Sequence, residues 1–352
     1  MARRLHPSLV LLATLAGSQP ACIPEFGTDL SELKAPRLIA ISASPAETQA
    51  RKQTTLTALV AAPPGRSVDP PSWKLCLARK PLTELGPVNP DCLEPDPAPE
   101  TALDLGSGAS VDATLDADVC KLFGPMRPSA TAGEAAGRPV DPDVTGGFYQ
   151  PIAAHLGDEV SLGAIRIDCD PANIDRDQAI LFRQQYRVNE NPRLSNLAVV
   201  SNDSTTPIEA GSRTKIKAGS SLDLRATWLG CPSESLCGDQ YCTANEDATN
   251  CAADCTAGES HGCPGPEQYA WYDRESQQVS SRRESMSVAW YTSSGHFESE
   301  QTGREESEAQ TNLSSDNVWR VGELSGDATL WVVIRDSRGG QSWEIRQFEI
   351  TP

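Results

Sequence analysis

Histidine is scarce in this 352-residue chain: four residues in all, one of them inside the first ten positions. The remaining three, His155, His261 and His296, sit in polar or glycine-containing contexts with no nucleophile motif beside them. The sequence has no H-E-x-x-H, no G-x-S-x-G, no phosphate-cradling loop ending in Lys and no dinucleotide fingerprint, which removes the enzyme classes that leave a linear trace. After the first 21 residues no stretch approaches 18 consecutive apolar side chains, so no later segment reads as a membrane-spanning helix. Positive charge is also short. Thirty Lys and Arg face 48 Asp and Glu, a net charge of -18, and such a balance repels phosphate backbones, so no nucleic-acid partner is expected.

Cysteine is plentiful, and its arithmetic is the most informative feature present. Eleven cysteines divide into Cys22, alone behind an apolar leader, and an even set of ten. The leader combines Arg3 and Arg4, an apolar run from Leu9 to Ala16, and small residues reaching Ala21; the run is too short to cross a bilayer and has the form of an export signal. The segment resembles a bacterial lipoprotein signal, in which the cysteine is lipidated and the chain is cleaved before it. Gln19 and Pro20 depart from that pattern. The resemblance implies a signal peptide over 1–21, lipidation at Cys22, a tether over 22–35 and attachment to a cell-envelope membrane, the outer membrane being the expected one. The alternative is an ordinary secretory leader cut near Ser18 or Ala21, which leaves a secreted protein with Cys22 as a spare thiol.

The mature chain is long enough for two or three domains. Two stretches open alike: Pro36-Arg37-Leu38 before Ile39 and Ile41, and Pro192-Arg193-Leu194 before Leu197 and Val199. Each is followed by a polar gap and an alternating run, Thr54 to Ala61 and Ser220 to Trp228. Period-two alternation marks half-buried strands. It recurs at Trp73, Leu75 and Leu77, at Ile165 and Ile167, at Met286, Val288 and Trp290, and at Leu330, Val332 and Ile334 before the glycine-bearing turn Asp336 to Gly340. Asp175 to Arg187 also reads better as a strand than as a helix, through Ile180, Phe182, Tyr186 and Val188. The polar run from Glu298 to Asn317 reads as a solvated loop.

These features predict an all-β fold. The Pro-Arg-Leu openings, the strand centred on Trp290 and the closing hairpin from Trp331 to Gly340 resemble tandem immunoglobulin-like domains of bacterial surface lipoproteins. The resemblance implies two immunoglobulin-like β-sandwich domains, over 36–190 and 191–352, and a display, adhesion or interaction role with a protein or glycan partner. An envelope enzyme with a noncontiguous active site is the alternative, and it requires a concave pocket with convergent polar groups.

Residues 36–190 hold six aromatics against twelve in 191–352, so the first domain has the leaner core. Its cysteines, Cys76, Cys92, Cys120 and Cys169, are expected to compensate as two bridges of about 2–4 kcal/mol each. The other six, Cys231, Cys237, Cys242, Cys251, Cys255 and Cys263, crowd into 33 residues and predict a small disulfide-stapled insert over 231–267. Paired C-x2-C clips are absent, which favours disulfides over zinc. Six cysteines allow 15 pairings and four allow three, and spacing does not choose among them. From Ala226 to Asp273 there is no Lys or Arg. The insert resembles a Cys-Gly-Asp-x-x-Cys motif of secreted bacterial proteins. Hard-cation chemistry then offers Asp239, Glu246, Asp247 and Asp254 as calcium ligands, with Asn245 or Asn250 beside them; the alternative is a stapled loop with solvated acids.

Overall fold

The computed structural model describes residues 30–81, 83–127, 138–201, 204–232, 236–242, 246–255, 262–308 and 312–352. The leader, Cys22, Asn245 and His261 lie outside them. The first sandwich is built from β1 (Arg37–Ser44), β2 (Glu47–Thr48), β3 (Gln53–Ala61), β4 (Ser72–Cys76), β5 (Ala102–Ser107), β6 (Ser110–Thr114), β7 (Phe148–Leu156) and β8 (Glu159–Ile167). A short α1 (Val119–Leu122) follows β6, and α2 (Arg176–Gln185) follows β8. The second comprises β9 (Leu194–Ser201), β10 (Ser204–Pro207), β11 (Arg213–Lys217), β12 (Ser221–Trp228), β13 (Gln268–Asp273), β14 (Gln278–Arg283), β15 (Met286–Thr292), β16 (His296–Phe297), β17 (Gln301–Arg304), β18 (Ser314–Arg320), β19 (Gly326–Asp336) and β20 (Gln341–Thr351).

The two sandwiches repeat one topology. Sheets β1-β3-β6 and β2-β8-β7-β4-β5 face each other in the first; β10-β9-β12-β18-β16 and β11-β20-β19-β15-β17 do so in the second. In each, the opening strand pairs antiparallel in one sheet and a later short strand crosses to the other, where it runs parallel to the last strand: β2 along β8 and β11 along β20. The matched openings therefore lead into equivalent strands, β1 and β9, of two immunoglobulin-like sandwiches. Trp73 on β4 and Trp290 on β15 occupy equivalent strands, and both are fully buried. Each indole nitrogen donates, to the Gly108 carbonyl at 2.8 Å and to Thr302 Oγ1 at 2.8 Å, because a buried N–H needs a partner.

Two strands are buried on both faces, and they join the domains. On β1, Leu38, Ile41 and Ala43 face the first core while Ile39 and Ala40 face outward; on β19, Leu330, Val332 and Ile334 face the second core while Trp331 and Val333 face outward. The outward residues meet in a third apolar cluster with Leu33, Leu59, Ala61 and Ala289. Polar contacts frame it: Arg335 donates to the Ile39 carbonyl at 2.9 Å, Ser42 to Gln341 O at 2.7 Å, and Asn191 to Ala43 O at 2.7 Å. An apolar, hydrogen-bonded joint of this kind restrains relative motion of the two domains.

Three expectations are corrected. Residues 176–185 form a helix: the Asp175 carboxylate accepts from the Asp177 and Gln178 amides, an N-cap that outweighs the apparent alternation. The stretch before residue 36 is no free tether where it is described, since Leu33 fills the interdomain cluster and residues 31–33 pair with Thr292. The polar run after Glu298 contains β17 and enters β18, and Glu306 within it grips Arg282 through two hydrogen bonds.

Five disulfides are formed, Cys76–Cys92, Cys120–Cys169, Cys231–Cys263, Cys237–Cys251 and Cys242–Cys255, and Cys120–Cys169 packs against the first core. The last three staple the segment between β12 and β13. Of the 15 conceivable pairings, the fold uses one that nests two short loops inside a longer one.

Candidate functional site

Three acids of the stapled insert, Asp239, Asp247 and Asp254, accept from its own backbone. The Asp254 carboxylate, almost fully buried, accepts from the amides of Gly238, Asp239 and Gln240. Asp239 accepts from Tyr241 N at 2.9 Å, and Asp247 from Thr249 N at 2.7 Å and Asn250 N at 3.0 Å. A carboxylate that receives amide protons has fewer lone pairs left for a cation. Among the described residues no three of Asp239, Glu246, Asp247 and Asp254 bring their oxygens together; the group that does converge is Cys237, Cys251 and Asp254, and its sulfurs are joined to each other. The insert is also docked rather than hanging free. Arg187, in the connection between the sandwiches, donates to Cys242 O at 2.8 Å and Glu246 O at 2.6 Å, and Gly262 N donates to Val188 O at 2.8 Å.

The chemistry that sequence reading missed is a buried ionic hub between the domains. Its centre is Arg338, in the tight turn between β19 and β20, whose side chain is fully buried. Arg338 pairs with Glu267 at 2.7 Å, Glu284 at 3.3 Å and Glu47 at 3.3 Å, donates to Arg187 O, and lies over the Tyr269 ring at 4.9 Å. Glu47, from β2, also pairs with Arg166 of β8 at 3.3 Å and accepts from Asn189 N and from the Tyr186 hydroxyl. Asp336 accepts from the Arg338 and Gly340 amides and caps the turn. Glu267 and Glu284 stand at the two ends of the β13–β14 hairpin. Arg338 thereby ties the first sandwich, the insert and the second sandwich to one guanidinium.

Four buried carboxylates around Arg338 and Arg166 exceed the cations available, and the titration follows. Burial pushes Glu267 up to about 7 and Asp336 up to about 6, in both cases against the pull of Arg338. Glu284 is raised well above its ordinary value by burial and by the neighbouring Asp336 and Glu267 charges. Groups that hold a proton to higher pH when folded take up protons on folding, so stability falls as pH rises through that window. For Glu267 the window runs from 4.5 to about 7. Asp141 and Asp316, held low by arginine hydrogen bonds, act in the opposite sense only below 3.8, and His155, kept neutral by burial, acts oppositely below 6.5. Denaturant midpoints are expected to fall as pH rises from 4.5 to about 7, where the raised carboxylates outnumber the opposing His155, and Glu284→Gln together with Glu267→Gln is expected to flatten that decline.

Beside the hub, α2, the 138–148 loop, the 169–173 segment and β13 enclose a cleft. One lobe of about 230 Å³ is lined by Arg127, Arg138, Arg166, Arg274, Trp271 and Phe182, with Asp141 as its one acid; an adjoining lobe of about 670 Å³ is lined by Asp168, Asp170, Gln49 and Arg183. Both share Phe182, Tyr186, Pro171 and Cys169. The loop wall is held by Asp143, which accepts from Thr145 N, Thr145 Oγ1 and Gly147 N at 2.7–2.9 Å. Glycine is required at 147, because a Cβ there would stand 2.1 Å from Arg166 Nη1.

No protein-family model matches the chain, and no curated protein is similar to it in sequence. Several solved structures align with it at low similarity. They include the fibronectin(III)-like modules of Clostridium thermocellum CbhA, at 9% identity over 89% of this chain and 94% of that one, with a TM-score of 0.20. A chimeric titin Z1Z2-Z1Z2 tandem aligns at 10% identity over 90% and 97%, TM-score 0.22. The Yersinia pseudotuberculosis adhesin InvE aligns at 8% identity over 88% and 58%, TM-score 0.18. At such scores the likeness carries no argument, and the fold rests on the strand order described above.

Proposed function

We propose that this chain is an extracytoplasmic lipoprotein, held to a cell-envelope membrane through lipid on Cys22, that works as a non-enzymatic interaction module. The observation that carries the reading is cysteine parity: five disulfides use ten of the eleven cysteines and leave Cys22 without an intramolecular partner. Bridges in this number belong to an oxidising compartment, and acyl chains on a processed cysteine supply about 0.8 kcal/mol per buried methylene. No helix among the described residues is long and apolar enough to cross a membrane. The jointed pair of sandwiches offers a body of fixed shape on which loops and clefts keep their relative positions, which suits recognition.

Intact-mass analysis of the protein extracted from membranes tests the reading. The expected species begins at Cys22, carries acyl mass and is ten hydrogens lighter than the fully reduced chain. A species without acyl mass, or one with free thiols at several of the ten paired positions, would overturn it.

A further inference from the structure

We propose that the cleft between α2, the 138–148 loop and β13 binds a short zwitterionic peptide, with its carboxylate among Arg138, Arg274 and Arg127 and its ammonium beside Asp168 and Asp170. This goes beyond the interaction role and does not depend on the lipid anchor.

The charge of the two lobes carries the inference. In a chain of net charge -18, the smaller lobe gathers four arginines against one acid. That acid, Asp141, is shared between two of them, at 2.5 Å from Arg138 and 2.8 Å from Arg274. Both arginine side chains are more than half exposed, so each keeps donors free for an incoming carboxylate, for which the guanidinium fork is suited. The larger lobe has the opposite sign: Asp168 and Asp170 face one cation, Arg183, which is engaged with Asp170. Asp168 has one oxygen occupied by Gln49 Nε2 at 2.8 Å. It is mostly buried, and that burial raises it to about 6, so near neutral pH it is an ionised, poorly solvated carboxylate for which a cation is a strong partner.

Between the two signs lies an apolar divide of Phe182, Pro171, Ala172 and the Cys120–Cys169 bridge, which both lobes touch. An apolar side chain between the two charged ends of a ligand would rest there. Simple anions lack the ammonium that Asp168 would meet, and neutral sugars leave both charged ends without partners. A molecule with one charge of each sign and an apolar group between them satisfies all three features.

Calorimetric titration with the tripeptide Gly-Phe-Gly, its N-acetylated form and its C-terminal amide tests the proposal. Each blocked end removes a charge-assisted contact, and either cap is expected to weaken binding about tenfold or more. Two variants locate the ends. Arg274→Ala is expected to abolish discrimination against the amide and leave discrimination against the acetylated peptide intact; Asp168→Asn is expected to do the reverse. Arg138→Ala repeats the first arm should Arg274→Ala fail to match the wild-type unfolding midpoint. Absence of binding by the free tripeptide, equal affinity for all three peptides, or variants that weaken all three alike would each overturn the assignment. None of these readouts involves the membrane, so failure here is distinct from failure of the anchor.

Discussion

Arg338→Ala is expected to cost about 3–5 kcal/mol of stability, the range seen when one partner of a buried ion pair is removed and its counter-charges stay behind. The guanidinium is the shared partner of Glu47, Glu267 and Glu284, all of them buried. Taking it away leaves Glu267 and Glu284 without their ion-pair partner and Glu47 with Arg166 alone, so the stranded carboxylates must take up protons, draw in water or move apart. The loss is therefore expected to be smaller at pH 5 than at pH 8, because protonation neutralises the acids that remain. Adding Glu284→Gln and Glu267→Gln to Arg338→Ala is expected to recover part of the loss at pH 8. Urea unfolding at the two pH values checks both points. A cost below about 1 kcal/mol at pH 8, typical of an exposed pair, would show that the hub is hydrated in solution.

Trp331→Ala is the second large effect. The side chain is 3% exposed, yet it points away from the core of its own sandwich and into the cluster with Leu33, Ile39, Ala40, Leu59 and Val333. Removing a buried indole costs about 3–5 kcal/mol through lost transfer energy and the cavity left behind. Because the cavity opens in the joint and spares both cores, scanning calorimetry is expected to resolve two transitions where the parent chain gives one. Trp290→Ala, which removes an indole from inside the second core, is expected to lower that domain's transition instead. A single transition for Trp331→Ala, lowered but undivided, would show that the ionic hub alone couples the domains.

The strands were legible in the chain because period-two alternation reports a half-buried pleat directly. The Pro-Arg-Leu openings announced the repeat, while the equivalence of the strands bearing Trp73 and Trp290 emerges only from the strand order. The doubly buried strands were only half legible. Leu330, Val332 and Ile334 gave the alternating face, while the intervening Trp331 and Val333 completed a continuous apolar run, which is what burial on both faces produces. The helix at 176–185 carried its own sign in Asp175 followed three residues later by Gln178, the spacing of an N-terminal cap. Its short apolar pattern, Ile180, Phe182 and Tyr186, fits both periods.

The hub and the cleft left no local trace. Glu47, Arg166, Glu267, Glu284 and Arg338 are drawn from positions spread over almost the whole chain, and each looks like an ordinary surface charge in its own neighbourhood. Asp336 to Gly340 read as turn chemistry, which it is; that its arginine points inward depends on the other sandwich. The insert's carboxylates stand in the sequence, whereas the amides that Asp239, Asp247 and Asp254 accept from are set by the fold.

The segment Ser31–Leu33 precedes the first sandwich in the chain but is hydrogen-bonded to the second: Leu33 N to Thr292 O at 2.7 Å, Thr292 N to Ser31 O at 2.8 Å, and Phe297 N to Ser31 Oγ at 2.9 Å. Tension applied at the amino end therefore reaches the edge of the far module before it reaches the near one. Seven residues lie between Cys22 and Leu30, a contour of at most about 29 Å, so under the proposed lipid anchor a pull at Cys22 would load this clasp first and leave the leading module mechanically sheltered.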